Sequence, residues 1–196
     1  ARAAVPPGVE AVDVEPGTLA AVADAVTSQG VVAVARRPAT ALRDVPASEP
    51  VLVCVGVQDP GNAGTLLRSA EAAGFAAVLF TSGSVDPYAP KCVRSSAGSI
   101  FRMVVTRGGE APTVLDEVAA TGRRRIATRP SAARPHTEVD LRGPVAIVVG
   151  NEAHGLPGGL DAHVDEWVTI PMKGRAESLN VAMAGTLLCF EVLRRG

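Results

Sequence analysis

The chain has 196 residues, of which 47% are apolar, and a formal net charge of −1. This length and composition allow one substantial hydrophobic core and at most a small appended unit. No apolar run approaches the roughly 20 residues that a membrane span needs, so a membrane role is not expected. The near-neutral charge gives no global nucleic-acid signature, and any affinity for RNA must come from local patches. Arginines cluster in three places, although each cluster can equally be a solvated face: Arg36 with Arg37, Arg94 with Arg102 and Arg107, and Arg123 to Arg125.

Residues 1–50 differ in character from the rest of the chain. The pattern predicts a short helix over residues 17–26, a strand over 30–37 and a linker rich in proline and polar residues over 38–50. The first residue is not methionine, and no secretory signal pattern follows it, so we expect a trimmed or truncated beginning.

From residue 51 onward, short apolar runs alternate with amphipathic segments, which is typical of an α/β fold. The first strand is predicted over 51–57, and a turn at Gln58-Asp59-Pro60-Gly61 leads into a helix that begins near Asn62 and stops at Gly74. Further strands are predicted over 76–80, 101–105, 125–128, 145–149 and 167–171. Further helices are predicted over 90–99, 113–120 and 178–193, the last with a broad apolar stripe.

Three glycine-containing loops carry the polar residues that suggest chemistry. The first is residues 58–65, followed on the same helix by Arg68, where a strand, a turn and a helix start form a natural anion site. Asn62 can equally cap that helix, and Arg68 can lie on its solvent face. The spacing is neither that of a Walker loop nor that of a dinucleotide fold.

The second and third loops follow two other predicted strands. Residues 148–156 contain Gly150 and Gly155, which permit close backbone approach to a ligand, and Glu152, a carboxylate at the carboxyl end of a parallel strand. An ordinary strand-end turn would also contain such residues. In residues 170–182, Ser178 is placed to cap the last helix and Asn180 lies in its first turn, where asparagine is a mediocre helix former.

Together, these loops resemble the signature motifs of the SpoU (TrmH-type) family of the SPOUT superfamily of RNA methyltransferases. The similarity keeps the order and character of all three motifs, covers about residues 50–196 and includes the segment 90–98. It implies an α/β fold with a mostly parallel sheet, helices on both faces and a C-terminal deep trefoil knot. It also implies a catalytic domain over 49–196, preceded over 1–48 by the remnant of an RNA-binding domain plus linker.

The resemblance further implies an S-adenosylmethionine-dependent enzyme that methylates a ribose 2′-hydroxyl, with ribosomal RNA as first substrate choice and transfer RNA as alternative. Family positions implicated in catalysis or RNA binding match Asn62, Arg68, Glu152, Ser178 and Asn180. The implied donor-binding residues are Thr128, Gly150, Asn151, Glu152, Gly155, Leu156, Ile170, Met172, Ser178, Leu179 and Ala182. Arg68 matches a family residue that is often described as the catalytic base. A guanidinium holds its proton to a pH above about 12, so a role in clamping an RNA phosphate and orienting the oxygen ranks at least equal to the role of base.

The remaining expectations concern partners, metals and rival functions. The resemblance implies a homodimer, and the apolar stripe on the last helix is compatible with that or with an internal core. Cys54, Cys92 and Cys189 are widely spaced, so we expect buried free thiols and a cytoplasmic location. The histidines have no ligand-like spacing with these cysteines, so we expect no metal. The rivals are a non-catalytic RNA-binding protein that retains the fold and an unrelated nucleotide-binding α/β enzyme.

Overall fold

The computed structural model describes residues 5–22, 30–131 and 134–196, and the chain divides into two compact units, residues 1–39 and 40–196. In the first unit, helix α1 covers Pro16–Val22, and the predicted continuation to residue 26 lies outside the described residues. The strand predicted over 30–37 is wrong, because these residues form no regular element. A strand needs a partner to complete its backbone hydrogen bonds, which local valine content cannot supply.

The second unit is built on one seven-stranded parallel sheet. The strands are β1 (Val51–Cys54), β2 (Ala77–Phe80), β3 (Val104–Arg107), β4 (Arg124–Thr128), β5 (Arg134–Pro135), β6 (Val145–Val149) and β7 (Glu166–Thr169). Their order across the sheet is β3-β2-β1-β6-β4-β7-β5, and every neighbouring pair is parallel. The chain therefore builds outward from β1 in one direction first and places its later strands on the other side. Such a reversal between β1 and β6 is where ligands bind in open α/β sheets.

Helices cover both faces of this sheet and enclose two hydrophobic clusters. Helices α2 (Pro60–Ala72), α3 (Pro90–Ser95) and α5 (Val181–Arg195) pack on one face, and α4 (Ala111–Ala120) packs on the other. Leu52 and Ile147 face the first cluster, whereas Val53 and Val148 face the second, as the two-residue period of a strand requires. The near-continuous apolar runs of β1 and β6 are explained by this double coverage.

Residues 40–50 belong to the second unit rather than forming a free linker. Leu42, in a 3₁₀ turn, and Val45 are buried in the cluster on the α4 face. Arg123 is also buried there, and its guanidinium donates to the carbonyl of Glu49 (2.8 Å) and to the Thr121 hydroxyl (2.7 Å). Burial lowers the pKa of Arg123. One member of the basic cluster at 123–125 thus ties segments of the fold together instead of facing solvent.

The segment between α3 and β3 departs from the predicted pattern. The helix predicted over 90–99 ends at Ser95, because Ala97 (φ 49°) and Gly98 (φ 87°) take left-handed conformations that a helix cannot contain. A 3₁₀ turn at Ser99–Phe101 follows. The strand predicted over 101–105 therefore starts only at Val104.

Candidate active site

The loops that follow β1 and β6 are joined side by side where the strand order reverses. The Asn151 side chain donates to the carbonyl of Gly56 (2.8 Å) and accepts from the backbone N–H groups of Ala153 (2.9 Å) and His154 (3.1 Å). Asn151 and Gly155 also exchange backbone hydrogen bonds of 2.8 and 2.9 Å. The second motif is therefore a tight loop clamped onto the end of β1.

Gly150 allows this loop to close. A Cβ atom added to Gly150 would lie 2.3 Å from the carbonyl carbon of Gly155 and 2.5 Å from the backbone nitrogen of Leu156. Backbone atoms cannot move aside as a flexible side chain can, so only glycine fits at this position. The sequence predicts that Gly150 allows close approach of a ligand, whereas the close approach in the structure is that of its own loop.

The Glu152 carboxylate connects the first and second motifs. It accepts from the backbone N–H groups of Gln58 (3.2 Å) and Asp59 (3.1 Å) and from the Asn62 side-chain amide (3.1 Å). Partial burial alone would raise the pKa of Glu152, but the hydrogen bonds from Asn62 and from the backbone outweigh it and lower that pKa. The carboxylate is therefore ionised at neutral pH and serves as an acceptor only.

Asn180 brings the third motif to the same place. Its side-chain nitrogen donates to the Asn62 side-chain oxygen (3.1 Å), while its own oxygen accepts from the backbone N–H groups of Ala182 (2.9 Å) and Met183 (3.3 Å). The amides thus point in one direction, from Asn180 to Asn62 to Glu152. We call these three side chains the Asn–Asn–Glu chain.

The same contacts correct the predicted start of the last helix. Helix α5 begins at Val181 with Asn180 as its N-cap, so the prediction of a helix from residue 178 capped by Ser178 is wrong. Asn180 can accept from two free N–H groups at once, which makes it the better cap. Ser178 lies in the exposed loop before the helix. At the other helix start, Asp59 rather than Asn62 is the N-cap of α2, accepting from the Asn62 backbone N–H (2.8 Å).

A cavity of about 270 Å³ opens at the carboxyl ends of β4, β6 and β7. Nine of the predicted donor-binding residues line it, namely Thr128, Gly150, Asn151, Glu152, Gly155, Ile170, Met172, Ser178 and Leu179. The other two do not: Leu156 packs against the cluster on the α4 face, and Ala182 is buried in the cluster on the opposite face. Glu152 belongs to both the cavity wall and the Asn–Asn–Glu chain.

Sequence reasoning missed several cavity residues at or after the ends of the same strands and two on α5: Arg129, Pro130, Val149, Ala153, His154, Thr169, Val181 and Ala184. Position at a strand's carboxyl end was the available signal for Arg129 and Thr169. Arg129 stacks over the Trp167 ring at 3.4 Å from its centroid and pairs with Asp161 (2.7 Å). Neither partner lies near Arg129 in sequence, so this pairing could not be foreseen.

Arg68 and the cysteines lie outside the cavity. Arg68 is exposed on α2 and, within the described ranges, has no hydrogen-bond or ion-pair partner. Cys54, Cys92 and Cys189 are buried free thiols, and burial raises the pKa of Cys92 and of Cys189 to about 12. Across the described part of the chain, no group of three or more potential ligand side chains is placed to hold a metal ion. None of the helices described is both long and apolar enough to cross a bilayer.

Fold and site define a parallel α/β protein with a ligand cavity at the carboxyl ends of its strands. The model of the SpoU rRNA methylase family matches residues 49–190, and the chain belongs to that family. A curated relative, the 23S rRNA (guanosine(2553)-2′-O)-methyltransferase of Bacillus subtilis, is 34% identical over 185 residues, which cover 94% of this chain and 73% of the relative.

Two solved structures show the same fold. An RNA 2′-O ribose methyltransferase is 40% identical with a TM-score of 0.73, covering 82% of this chain and 61% of that one. An AdoMet-bound rRNA methyltransferase from Sinorhizobium meliloti is 33% identical with a TM-score of 0.74, covering 79% of this chain and 60% of that one. The chain thus spans about three fifths of the solved relatives and somewhat more of the curated one.

Proposed function

We propose that this protein transfers a methyl group from S-adenosylmethionine to a ribose 2′-hydroxyl of ribosomal RNA. The observation that carries the proposal is the double position of Glu152, which lines the cavity and also holds the Asn–Asn–Glu chain. A donor site and a set of oriented polar groups therefore share one wall. The relatives named as rRNA 2′-O-methyltransferases and the AdoMet-bound structure support this chemistry.

The cavity lining suits S-adenosylmethionine. Ile170, Met172, Leu179 and Val181 offer apolar contacts to a flat base, while the loop 150–155 offers backbone groups for its polar edge. The cavity volume is close to the lower end of ligand sites, about 300 Å³. When bound, the donor supplies an electrophilic methyl group on its sulfonium. The residues proposed to hold it are those predicted from the sequence that line the cavity.

The polar residues have distinct proposed roles. Glu152 fixes the Asn62 amide, and Asn180 fixes it from the other side, so that the acceptor ribose meets preoriented groups. Arg68, exposed and without a partner among the described residues, is proposed to grip an RNA phosphate through two parallel hydrogen bonds and to steer the 2′-oxygen. Ser178 is proposed to contact donor or acceptor from the exposed loop before α5.

A homodimer is proposed because α5 presents an exposed apolar stripe. Met183, Phe190 and Leu193 are 55, 43 and 52% exposed, and helical spacing places them on one side. Exposed apolar patches of this kind mark interaction sites. Apposed copies of α5 would bury the stripe.

Three further features are proposed from family membership. The C-terminal segment is proposed to form the trefoil knot, consistent with the return of α5 to α2, where a Cβ on Gly185 would lie 2.3 Å from a Leu66 methyl. Of residues 1–48, those that precede the second unit, residues 1–39, are proposed to be the remnant of an RNA-binding domain. The cytoplasm is proposed as the place of action, which suits three free thiols.

The test uses purified protein, methyl-labelled S-adenosylmethionine and ribosomal RNA from cells that lack the gene, with transfer RNA in parallel. We expect label in ribosomal RNA as a 2′-O-methylnucleoside after digestion. Arg68→Ala should abolish transfer while calorimetry shows unchanged donor binding, because Arg68 does not line the cavity. Label on a base, or no donor binding by the unaltered protein, would contradict the proposal. Donor binding without transfer to any RNA would favour the non-catalytic alternative.

A further inference from the structure

Phe101 is an exposed aromatic ring next to buried neighbours. Its side chain is 74% exposed, whereas Ser99 and Ile100 are 1 and 4% exposed. Phe75 and Phe80 are almost fully buried, as is usual for this residue type. The ring therefore faces solvent although the backbone that carries it is anchored in the core.

The turn that presents this ring is fixed by strain and hydrogen bonds. Ala97, a residue with a side chain, takes the left-handed conformation at φ 49°, which costs free energy and is characteristic of functional segments. The Ser96 hydroxyl donates to the carbonyl of Val93 (2.7 Å), and the Ser99 hydroxyl donates to the Glu71 carboxylate (3.1 Å). The backbone that carries Phe101 is thus held in place by the fold itself.

The residues that flank Phe101 in the sequence include several basic ones. Residues 91–107 contain four basic side chains, Lys91, Arg94, Arg102 and Arg107, and no acidic one, but in the fold Lys91 and Arg107 pair with Asp59 (3.5 Å) and Asp86 (3.0 Å), which offsets their charge. The Arg102 guanidinium donates through Nε and Nη2 to Glu71 (2.9 and 3.4 Å) and remains 55% exposed on its side chain. Glu71 therefore holds a planar cation in one orientation beside Phe101.

Glu71 also links this surface to the candidate active site, because it lies on α2 together with Asn62 and Arg68. Arg68 is one helical turn from Glu71. Asn62 lies about 14 Å from Glu71 along the helix axis and about half a turn around it, so the connection runs through Arg68. An RNA strand whose phosphate is held by Arg68 would therefore pass the side of α2 that carries Glu71.

We infer that Phe101 and Arg102 form a stacking platform for a single-stranded segment of the RNA substrate, flanking the nucleotide that is methylated. The inference rests on the proposed function. Bases stack on exposed aromatic rings and arginine planes, and the exposed part of the Arg102 guanidinium can contact a phosphate between them. One ring among basic side chains is a poor match for a protein partner, which needs a contiguous apolar patch.

The first test measures fluorescence anisotropy of a labelled single-stranded RNA of mixed sequence and of the duplex of the same sequence. Phe101→Ala and Phe101→Leu should weaken single-strand binding by about 5- to 100-fold, the equivalent of one stacked base. Phe101→Trp should retain it, since the larger ring still stacks. Duplex binding should not change, because paired bases are not available to the ring.

Arg102 has a matched control on another surface. Arg102 and Arg142 are both exposed arginines paired with a carboxylate, Glu71 and Asp140 respectively, at 2.9 and 2.8 Å. Arg102→Gln should reduce the slope of log affinity against log salt by about 0.7, the value for one phosphate contact on a single strand. Arg142→Gln should leave the slope unchanged.

Three results would overturn the platform. The Phe101→Leu variant could bind single-stranded RNA as tightly as the unaltered protein, or the Phe101 variants could lose the same affinity for duplex as for single strand. The third result is a molecular mass of Phe101→Ala in light scattering that differs from that of the unaltered protein. The last would mean that the ring contacts another copy of the chain. Failure of the proposed function would look different, because the unaltered protein would then transfer no methyl group to ribosomal RNA. If transfer occurs and Phe101→Ala performs it as well at subsaturating RNA, only the platform is refuted.

Discussion

Replacing Glu152 by glutamine tests the junction of the three loops most directly. The carboxylate accepts three hydrogen bonds, from the backbone of Gln58 and Asp59 and from the Asn62 side chain. Glutamine has one carbonyl oxygen, so at least one N–H group would face its NH₂ group. The remaining bonds would lose their charge assistance, which roughly doubles the strength of a neutral hydrogen bond.

These losses can be converted into a stability change. One hydrogen bond lost contributes about 1 kcal/mol, and weaker charge assistance adds a similar amount. Because Glu152 is exposed, water replaces part of the loss, and we expect the free energy of unfolding to fall by about 1–2 kcal/mol. For a chain of this size, that corresponds to a melting temperature lower by about 2–8 °C. Methyl transfer should fall more steeply, by about tenfold or more, because the Asn62 amide loses its fixed orientation.

The assay combines urea unfolding with labelled-methyl transfer at saturating donor. Glu177→Gln is the control, since Glu177 lies exposed in the loop before α5 and has no hydrogen-bond partner among the described residues. Equal stability and turnover of the Glu152 and Glu177 variants would refute the role given to this carboxylate.

The pKa of Glu152 gives the same prediction a pH dependence. Hydrogen bonding lowers this pKa in the folded state relative to about 4.3 in an unfolded chain. The stability due to ionised Glu152 is therefore complete above the unfolded value and is lost as the pH falls through the lower folded value. The difference in unfolding free energy between the unaltered protein and Glu152→Gln should thus shrink below about pH 4.

Substitutions at Asn180, Gly150 and Phe190, with Gly158 as a control, test the remaining proposals. Asn180→Asp keeps a good N-cap but cannot donate to Asn62, so the free energy of unfolding should change by no more than about 0.5 kcal/mol while methyl transfer drops. Asn180→Ala loses the cap as well, so it should also lower the free energy of unfolding by about 1 kcal/mol, measured by urea unfolding. Gly150→Ala should cost about 1–3 kcal/mol and weaken donor binding by calorimetry, while Gly158→Ala, with open space around it, should change neither. Phe190→Glu should yield monomers in light scattering, and a persisting dimer would exclude α5 from the interface.

The sequence predicted the alternation of strands and helices because both period and chain order are local properties. The two-sided burial of β1 and β6 could be read from continuous apolar runs. The length of α3 could not, because the turn at Ala97 is followed by Ser99, whose hydroxyl contacts the Glu71 carboxylate 28 residues away in sequence. The strand predicted over residues 30–37 was wrong for a related reason, because β propensity leads to a strand only where a neighbouring strand can pair with it.

Within the site, residue types were predictable and their partners were not. Glycines and polar side chains at strand ends indicated the three loops, but the bonds from Glu152 to Asn62 and from Asn180 to Asn62 span 90 and 118 residues. Arg123 shows the opposite error: in sequence it belongs to a basic cluster, and in the fold it is a buried donor to backbone carbonyls. Only the tertiary arrangement distinguishes a charge that binds a ligand from one that binds the chain itself.

The precision of this site comes from the starts of two helices. Asp59 caps α2 and Asn180 caps α5, so the backbone that carries Asn62 and the side chain that contacts it are both fixed by bonds the helices require anyway. A cap residue has little freedom, because its side-chain oxygen must face the first N–H groups of the helix. The Asn180 side-chain nitrogen, which takes no part in the cap, then points at the Asn62 oxygen. The entropy cost of positioning Asn62 is therefore already met when the chain folds. Preorganisation here is a by-product of helix capping, which is why an aspartate at position 180 should leave the fold intact and still impair the chemistry.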